Sequence, residues 1–383
     1  MSNTKWVSCW GTATSITDRK PSTYSKSLTL RYPVKMFFTG SDIRIRLSNE
    51  TGTEPVRIDK IKISKCDGMT GVLTSESADI TFGGKAEVTI GPAEETVSDS
   101  IAFPVRRGEF IAVSMYMRDF TQMNSATRLT GPLSKGYYAY GDFCEAEALP
   151  VSLSRETQWY WFLNTIDILT DEKNHAVICY GDSITAQSWP DYLALRCFDE
   201  NFTDIAIIRR AVSGTRILRE YDCITYLAYG KKGANRFERE MNTFGATDVI
   251  IQHGINDIIH PVGTDVNIFR PWSDLPTCEE MIRGVSEIYL DSVDKLKLGA
   301  WSATLLPIFG WRTYADFREK LKNEFNEWLR SSDRFKGCID FDAALRDPDK
   351  PEAFRNGYDS GDHLHPSEAA YKKMAETVPL DKF

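Results

Sequence analysis

The chain has 383 residues, 42% of them hydrophobic and 26% charged, and a formal net charge of −8. Its length predicts two domains, and its charge argues against nucleic acid or an anionic membrane as the main partner. No run of about 18 apolar residues occurs, so we expect no membrane-spanning helix. The first residues lack the apolar core of a secretory signal. We therefore expect a cytoplasmic protein, or a secreted one if a leader has been removed.

Apolar and polar residues alternate with a period of two up to about residue 169. Residues 42–48 and 56–64 show this alternation, and turn residues separate several further short apolar runs. Short strands at such spacing, with almost no helical periodicity, are typical of an antiparallel sandwich. We predict a β-sandwich or jelly-roll-like accessory domain at residues 1–170.

After the short polar segment 170–174, strand-like and helix-like segments alternate. The candidate strands are residues 176–179, 204–208, 248–252, 300–307 and 337–341, with amphipathic stretches between them. Buried strands that alternate with helices indicate a parallel sheet covered on both sides. We predict a three-layer α/β/α domain at residues 175–383.

Residues able to do chemistry follow the first three of these strands. Ser183 ends a Gly-Asp-Ser turn, Gly214 follows the second strand and Asn256 the third. Loops at the carboxyl edge of a parallel sheet can meet, and α/β hydrolases display a serine nucleophile on such a turn. The turn by itself can equally be only a turn. Acyl transfer also needs donors where negative charge develops, and the N–H groups of Ser183, Gly214 and Asn256 are candidates.

A base and an orienting acid are predicted near the C-terminus. Asp362 precedes His365 by three residues, close enough for its carboxylate to hold the Nδ1–H and leave Nε2 free as a base toward Ser183. Pro366 suits the first turn of a helix that follows. His363 is an alternative base, or with Asp362 and His365 an alternative metal trio, but an acid at this spacing usually orients a histidine.

Four segments resemble, in order and spacing, the sequence blocks of the SGNH (GDSL) hydrolase superfamily over residues 175–380. They are Gly181-Asp-Ser-Ile184, the isolated Gly214, Gly254-Ile-Asn-Asp257 and Asp362-His-Leu-His365. The resemblance implies that Ser183 is the nucleophile, that Ser183, Gly214 and Asn256 form the oxyanion hole, and that Asp362 and His365 complete a triad. It also implies a flavodoxin-like sheet without metal or cofactor.

The β-rich first domain and the segment 340–348 resemble one branch, the bacterial two-domain carbohydrate esterases of the acetylxylan-esterase-like kind. Some of these esterases use a Ser–His pair alone, but Asp362 stands at the expected place and predicts a full triad. The resemblance implies removal of acetyl groups from an acylated carbohydrate. A lipase or thioesterase for longer acyl groups, and a non-catalytic carbohydrate-binding protein, remain alternatives.

Substrate contacts are predicted only from aromatic residues, because sugar sites favour aromatic walls. Trp272 lies in a long loop after the third strand, and Trp189 and Trp311 lie near predicted helix starts. Each can equally be a packing residue. The first domain can bind carbohydrate or support the second, and the sequence does not set the oligomeric state.

Overall fold

The structure, a computed structural model, describes residues 3–16 and 23–383. The chain folds into two compact units, Met1–Ala176 with Cys197–Ile208, and Val177–Arg196 with Arg209–Phe383. Domain boundaries at 1–170 and 175–383 stay a prediction. Within the described part of the chain, no helix combines the length and the apolar character needed to cross a membrane.

The N-terminal part is antiparallel and rich in strands, as predicted. The alternating pattern folds as expected: Ile43, Ile45 and Leu47 of one strand are completely buried, because alternate residues of a strand face the same side. In chain order the strands are β1 (Thr4–Gly11), β2 (Ser15–Ile16), β3 (Tyr24–Ser25), β4 (Leu28–Lys35), β5 (Gly40–Ser48), β6 (Val56–Ile58), β7 (Lys60–Asp67), β8 (Val72–Asp79), β9 (Val88–Ile90), β10 (Glu95–Val97), β11 (Ile101–Val105), β12 (Phe110–Met117), β13 (Thr121–Gln122), β14 (Ser125–Arg128), β15 (Gly136–Tyr140), β16 (Ser154–Thr157), β17 (Trp159–Trp161) and β18 (Leu163–Asp171).

Two larger sheets and three small ones organise these strands. One large sheet has the order β1-β18-β5-β10, with β11 also paired to β5, and the other has the order β16-β15-β4-β12-β7-β8. The small sheets are β17-β14-β2, β13-β3 and β6-β9. The pairings in these sheets are antiparallel. The antiparallel, strand-rich character is thus confirmed, whereas the jelly-roll topology stays a prediction.

The C-terminal part has the predicted α/β architecture. Its strands are β19 (His175–Gly181), β20 (Ile205–Ala211), β21 (Ala246–Gln252), β22 (Gly299–Ala303) and β23 (Gly337–Ile339), in the sheet order β20-β19-β21-β22-β23. The pairs β21–β22 and β22–β23 are parallel. This order, 2-1-3-4-5 within the domain, is the flavodoxin-like order, whose ligand site lies at the carboxyl ends of the strands.

Helices connect these strands, as the alternation of strand-like and amphipathic segments predicted. They are α1 (Ser183–Ala186), α2 (Trp189–Asp199), α3 (Gly233–Met241), α4 (Ile255–Ile259), α5 (Cys278–Gly284), α6 (Asp291–Leu296), α7 (Asp316–Ser331), α8 (Phe341–Leu345) and α9 (Glu368–Thr377). A π-helical segment, Val285–Leu290, joins α5 to α6, and 3-10 turns lie at Gly68–Thr70, Leu227–Tyr229, Trp272–Asp274 and Leu380–Lys382.

Two sequence predictions about element ends are wrong. The fourth strand of the domain ends at Ala303 rather than at residue 307. Pro366 does not lie in the first turn of α9, because Ser367 is the N-cap residue and its hydroxyl accepts a hydrogen bond from the Ala370 N–H. Pro366 is instead paired with Asp359 in an isolated β-bridge, which closes the loop that carries Asp362 and His365.

Candidate active site

Ser183 is the first residue of α1, and a single residue, Asp182, separates it from the end of β19. The Asp182 carboxylate caps this helix by accepting a hydrogen bond from the Ile184 N–H at 3.1 Å. Close approach to β21 requires glycine at position 181, since an added Cβ would lie 2.4 Å from the carbonyl oxygen of Gln252. The end of β19 is therefore held in the sheet while the side chain of Ser183 stays partly exposed.

Ser183, His365 and Asp362 form a continuous chain of hydrogen bonds. Oγ of Ser183 lies 2.8 Å from Nε2 of His365, and Nδ1 of His365 lies 2.6 Å from Oδ2 of Asp362. Because a carboxylate only accepts, the imidazole proton belongs on Nδ1, and Nε2 is left to accept from the serine hydroxyl. The structure thus brings together the three residues predicted as nucleophile, base and orienting acid, in the geometry that serine hydrolases use.

The loop of Asp362 keeps its carboxylate ionised. Oδ1 accepts hydrogen bonds from the backbone N–H groups of Leu364 at 3.0 Å and His365 at 2.8 Å. Partial burial of the carboxyl opposes ionisation, but the hydrogen bonds from the side chain and backbone of His365 and from Leu364 lower the pKa of Asp362 below its ordinary value. A negative charge therefore faces Nδ1 at neutral pH and stabilises an imidazolium on His365.

His363 does not compete for this role. Its backbone is left-handed, with φ of 64°, and its Nδ1 lies 2.5 Å from Oδ2 of Asp359 rather than near Asp362. In residues 3–16 and 23–383, no cluster of three or more His, Cys, Asp or Glu side chains is arranged to hold a metal ion. The metal trio considered from the sequence is not formed, because His363 is paired with Asp359.

Two of the three predicted oxyanion donors lie on neighbouring segments: Gly214 in the loop after β20 and Asn256 in α4. Gly214 has φ of 82°, and an added Cβ would lie 2.2 Å from the ring of Tyr229, so both backbone and space require glycine. Asn256 is 2% exposed, and its Nδ2 donates to the carbonyl oxygen of Thr215 at 3.1 Å. A carboxamide carries two N–H donors. This bond therefore fixes the side chain beside Gly214 and leaves a second donor.

A buried histidine holds the same carbonyl. Nε2 of His253 lies 3.2 Å from the oxygen of Thr215, and Nδ1 lies 2.7 Å from the hydroxyl of Tyr289. Burial lowers the pKa of His253 well below its ordinary value, so the ring is neutral. Nε2 then donates to Thr215 and Nδ1 accepts from Tyr289. His253 thus holds the carbonyl of Thr215 and positions the loop that follows Gly214.

Asp257 links α4 to the loop after β20 a second time. Its carboxylate oxygens accept hydrogen bonds from the backbone N–H groups of Ile217 at 2.7 Å and Leu218 at 3.0 Å. Val212 N–H also donates to the carbonyl oxygen of Gly181 at 3.2 Å. The ends of β19, β20 and β21 are thus joined through hydrogen bonds, which places the predicted nucleophile and donors at one sheet edge.

The part of the chain that carries this site matches a known protein family. The family model of the GDSL-like lipase/acylhydrolases matches residues 177–378, just over half of the chain. The chain belongs to this family. No match was found among curated protein sequences.

Three solved structures are similar to this hydrolase at low identity. A GDSL-like lipase from Bacteroides thetaiotaomicron has 16% identity and a TM-score of 0.39, over 55% of this chain and 89% of the other. A family two carbohydrate esterase from Cellvibrio japonicus has 12% identity and a TM-score of 0.34, over 100% and 98%. A mutant acetylxylan esterase from Geobacillus stearothermophilus has 14% identity and a TM-score of 0.36, over 53% and 91%. Similarity at this level carries no information about substrate.

The three candidate tryptophans of this GDSL hydrolase differ in exposure. Trp189 is 0% exposed and packs edge-on against Phe341 with ring centroids 5.3 Å apart. Its prediction as a substrate contact is wrong, because the first turn of α2 packs into the core. Trp272 is 51% exposed, and Trp311, partly exposed, follows Gly310, which packs against the ring of His363. These two remain candidates for contact with substrate.

Two residues that support the site were not found from the sequence. Arg236 of α3 is 2% exposed, and its Nη2 donates to the carbonyl oxygen of Gly181 at 2.6 Å. Tyr289 lies in the π-helical segment, whose wider turn shifts the register of that helix. Arg236 and Glu240 have the spacing of an ordinary surface pair, and a π-helical turn has no simple sequence signal. Only the buried environment shows their role.

We expect the buried carboxyl of Asp182 to make the stability of the protein depend on pH. Burial raises the pKa of Asp182 to about 7, and its Oδ2 has no hydrogen-bond partner among the described residues. Because this folded-state pKa lies above the ordinary value of 3.8, the folded protein binds the proton more tightly, and stability falls as pH rises toward 7. We expect the free energy of unfolding of the wild type, relative to Asp182→Asn, to fall by on the order of 2 kcal/mol between pH 5 and 8.

Denaturant unfolding of both proteins across this pH range is the measurement. Asp381→Asn is the control, since the side chain of Asp381 is 68% exposed. Its free energy of unfolding should change with pH as that of the wild type does. Parallel stability curves for the wild type and Asp182→Asn would contradict the raised pKa.

Proposed function

We propose that this GDSL-family hydrolase is a serine esterase that removes short acyl groups, acetyl above all, from acylated sugars or oligosaccharides such as xylo-oligosaccharides. The observation that carries the proposal is the chain of hydrogen bonds from Oγ of Ser183 through His365 to Asp362, at 2.8 and 2.6 Å. A hydroxyl, a neutral imidazole acceptor and an ionised carboxylate in this order supply a nucleophile and its base.

In the proposed mechanism, Oγ of Ser183 attacks the ester carbonyl while Nε2 of His365 takes the hydroxyl proton. The charge on the former carbonyl oxygen is stabilised by the N–H groups of Ser183 and Gly214 and by the carboxamide of Asn256. His365 then donates its proton to the departing sugar alcohol, and the acyl group stays on Ser183 as an ester. Water, activated by His365 in the same way, releases the carboxylic acid and restores the serine.

The preference for a short acyl group is supported by Tyr229. Its ring packs directly against Gly214 and stacks on His260 with centroids 5.1 Å apart. The space beside one proposed oxyanion donor is therefore already filled by an aromatic ring. The preference for sugars is supported by the partial exposure of Trp272 and Trp311, because aromatic faces suit the apolar faces of sugar rings.

An acyl-chain series tests this selectivity. We expect p-nitrophenyl acetate to be hydrolysed with a kcat/KM at least about tenfold above that of the octanoate, since one methylene in a pocket changes kcat/KM by 10-fold or more. Tyr229→Ala should narrow that ratio by opening space beside Gly214, whereas Phe244→Ala, at a 39% exposed aromatic residue, should not. A preference of the wild type for octanoate would instead indicate a lipase or thioesterase.

The sugar itself is tested by product analysis. Acetylated xylan, acetylated mannan and small acetylated sugars are incubated with the protein, and the products are analysed by mass spectrometry. Loss of acetyl groups from at least one of these carbohydrates is expected. Turnover of p-nitrophenyl acetate without deacetylation of any of them would overturn the proposed substrate class and leave the esterase chemistry standing.

A further inference from the structure

The β-rich N-terminal part contains a cleft of about 730 Å³ that none of the proposed catalytic residues lines. Its walls come from residues between Ser25 and Trp161, chiefly on β14 to β17. The volume lies within the range of small-molecule sites, about 300–1,000 Å³. The cleft is therefore large enough for a ligand of its own, separate from the proposed catalytic residues.

Two tryptophans on β17 face this cleft. Trp159 and Trp161 are two residues apart, so they share one face of the strand, and their ring centroids lie 6.5 Å apart. Tyr160 between them points to the opposite face, where it is 1% exposed and stacks on Tyr32 with centroids 4.7 Å apart. The strand thus anchors itself in the core through Tyr160 and keeps two large indoles on its outer side.

The indole of Trp161 is held in place by a hydrogen bond. Nε1 of Trp161 donates to the carbonyl oxygen of Met123 at 3.2 Å, and both tryptophans are only partly exposed. Tyr138 and Tyr140 line the same cleft from one face of β15, with ring centroids 6.2 Å apart. Tyr140 is 56% exposed. Four aromatic rings on two strands therefore form platforms, and the hydrogen-bonded indole of Trp161 has little side-chain entropy left to lose on binding.

Polar side chains and side chains of both charges also line the cleft. Nη2 of Arg128 donates to the carboxamide oxygen of Gln158 at 2.9 Å, and Lys135 pairs with Glu156 at 3.0 Å. The cleft therefore offers donors and acceptors together, and its charge is small: Arg128 and Lys135 against Glu156 leave one net positive charge, less than the cluster of cations typical of a site for an anionic polymer. Hydroxyl groups both donate and accept, so such a lining suits a polyhydroxylated neutral ligand with apolar C–H faces.

We propose that this cleft is a carbohydrate-binding site for a segment of a neutral polysaccharide, with sugar rings packed on Trp159 and Trp161 and hydroxyls bonded to Arg128, Gln158 and Glu156. Such a site holds the enzyme on a polymer irrespective of the acyl groups it carries. It uses no catalytic residue, so it does not require the proposed deacetylation to be correct.

The test is affinity electrophoresis of the full-length protein in gels that contain deacetylated xylan, glucomannan or hydroxyethyl cellulose. We expect retardation by at least one polymer, and a loss of affinity of about tenfold or more in Trp159→Ala/Trp161→Ala. Hydrolysis of p-nitrophenyl acetate by that variant should be unchanged. Trp6→Ala is the matched control, because Trp6 is a partly exposed tryptophan of β1 that does not line the cleft.

Two further variants keep the result interpretable. Ser183→Ala should be retarded like the wild type, which separates binding at the cleft from capture by the catalytic serine. Arg128→Ala/Gln158→Ala removes only exposed polar side chains and should also weaken retardation if the tryptophan variant fails to fold. A proline-rich peptide is tested as the alternative ligand, because such peptides also dock in aromatic-lined grooves. No retardation by any polymer, with or without binding of that peptide, or retardation that survives both double variants, would overturn the proposal.

Discussion

Ser183→Ala is expected to lower the kcat for p-nitrophenyl acetate by roughly 10⁴-fold or more, because loss of the nucleophile removes the acyl-enzyme route entirely. The hydroxyl of Ser183 is the group that Nε2 of His365 contacts, at 2.8 Å, and alanine leaves that acceptor without its donor. Among residues 3–16 and 23–383 the hydroxyl has no hydrogen-bond partner other than His365, so the thermal unfolding temperature should change little. The rate that remains is the residual turnover by water, assisted by the oxyanion donors alone.

The matched control for this prediction is Ser188→Ala. Ser188 lies five residues further on, is completely buried, and its hydroxyl donates to Glu368 at 2.7 Å, so its loss affects packing near the site but not the chemistry. A serine-directed fluorophosphonate should label the wild type and Ser188→Ala but not Ser183→Ala. Retained turnover in Ser183→Ala, or no labelling of the wild type, would refute the nucleophile, and the second result would favour a non-catalytic binding protein.

Most of the fold could be predicted because the two halves of the chain have different hydrophobic periods. Residues 42–48 alternate strictly in sequence, and the corresponding strand β5 buries Ile43, Ile45 and Leu47 completely, although Arg46 and Ser48 on its other face are buried as well. The second half alternates buried strands with amphipathic segments, and only one arrangement, a parallel sheet with helices on both faces, buries both. Strand ends were less predictable, since the apolar residues of 304–307 continue the core after β22 has ended.

The candidate site was predictable where backbone geometry follows directly from residue type. The sequence indicated Gly214 because a residue without a side chain can present its backbone N–H closely, and Asp362 because it precedes His365 by the right interval. Trp189 was misjudged because an aromatic residue at a helix start can face either way, and only the packing of Phe341 decides. The link from Tyr289 through His253 to Thr215 joins three distant segments, and no local pattern encodes such a contact.

Asn256→Ala is expected to lower kcat by about 10² to 10³, equivalent to roughly 3–4 kcal/mol of transition-state stabilisation, with a much smaller change in KM. The reason is that a donor directed at the developing oxyanion acts mainly in the transition state. Stopped-flow and steady-state kinetics on p-nitrophenyl acetate measure the effect. Asn326→Ala is the control, because Asn326 is also completely buried and bonds both backbone groups of Leu305 at 2.8 Å.

A merely structural role for Asn256 makes a different prediction. Asn256 and His253 each give one hydrogen bond to the carbonyl oxygen of Thr215, at 3.1 and 3.2 Å. If Asn256 only held that loop, Asn256→Ala and His253→Ala would lose similar amounts of kcat and of stability. A donor to the oxyanion requires instead that Asn256→Ala lose at least about tenfold more kcat than His253→Ala at comparable stability. Equal losses in the two variants would mean that Asn256 only supports the loop. The backbone N–H groups of Ser183 and Gly214 would then form the oxyanion hole.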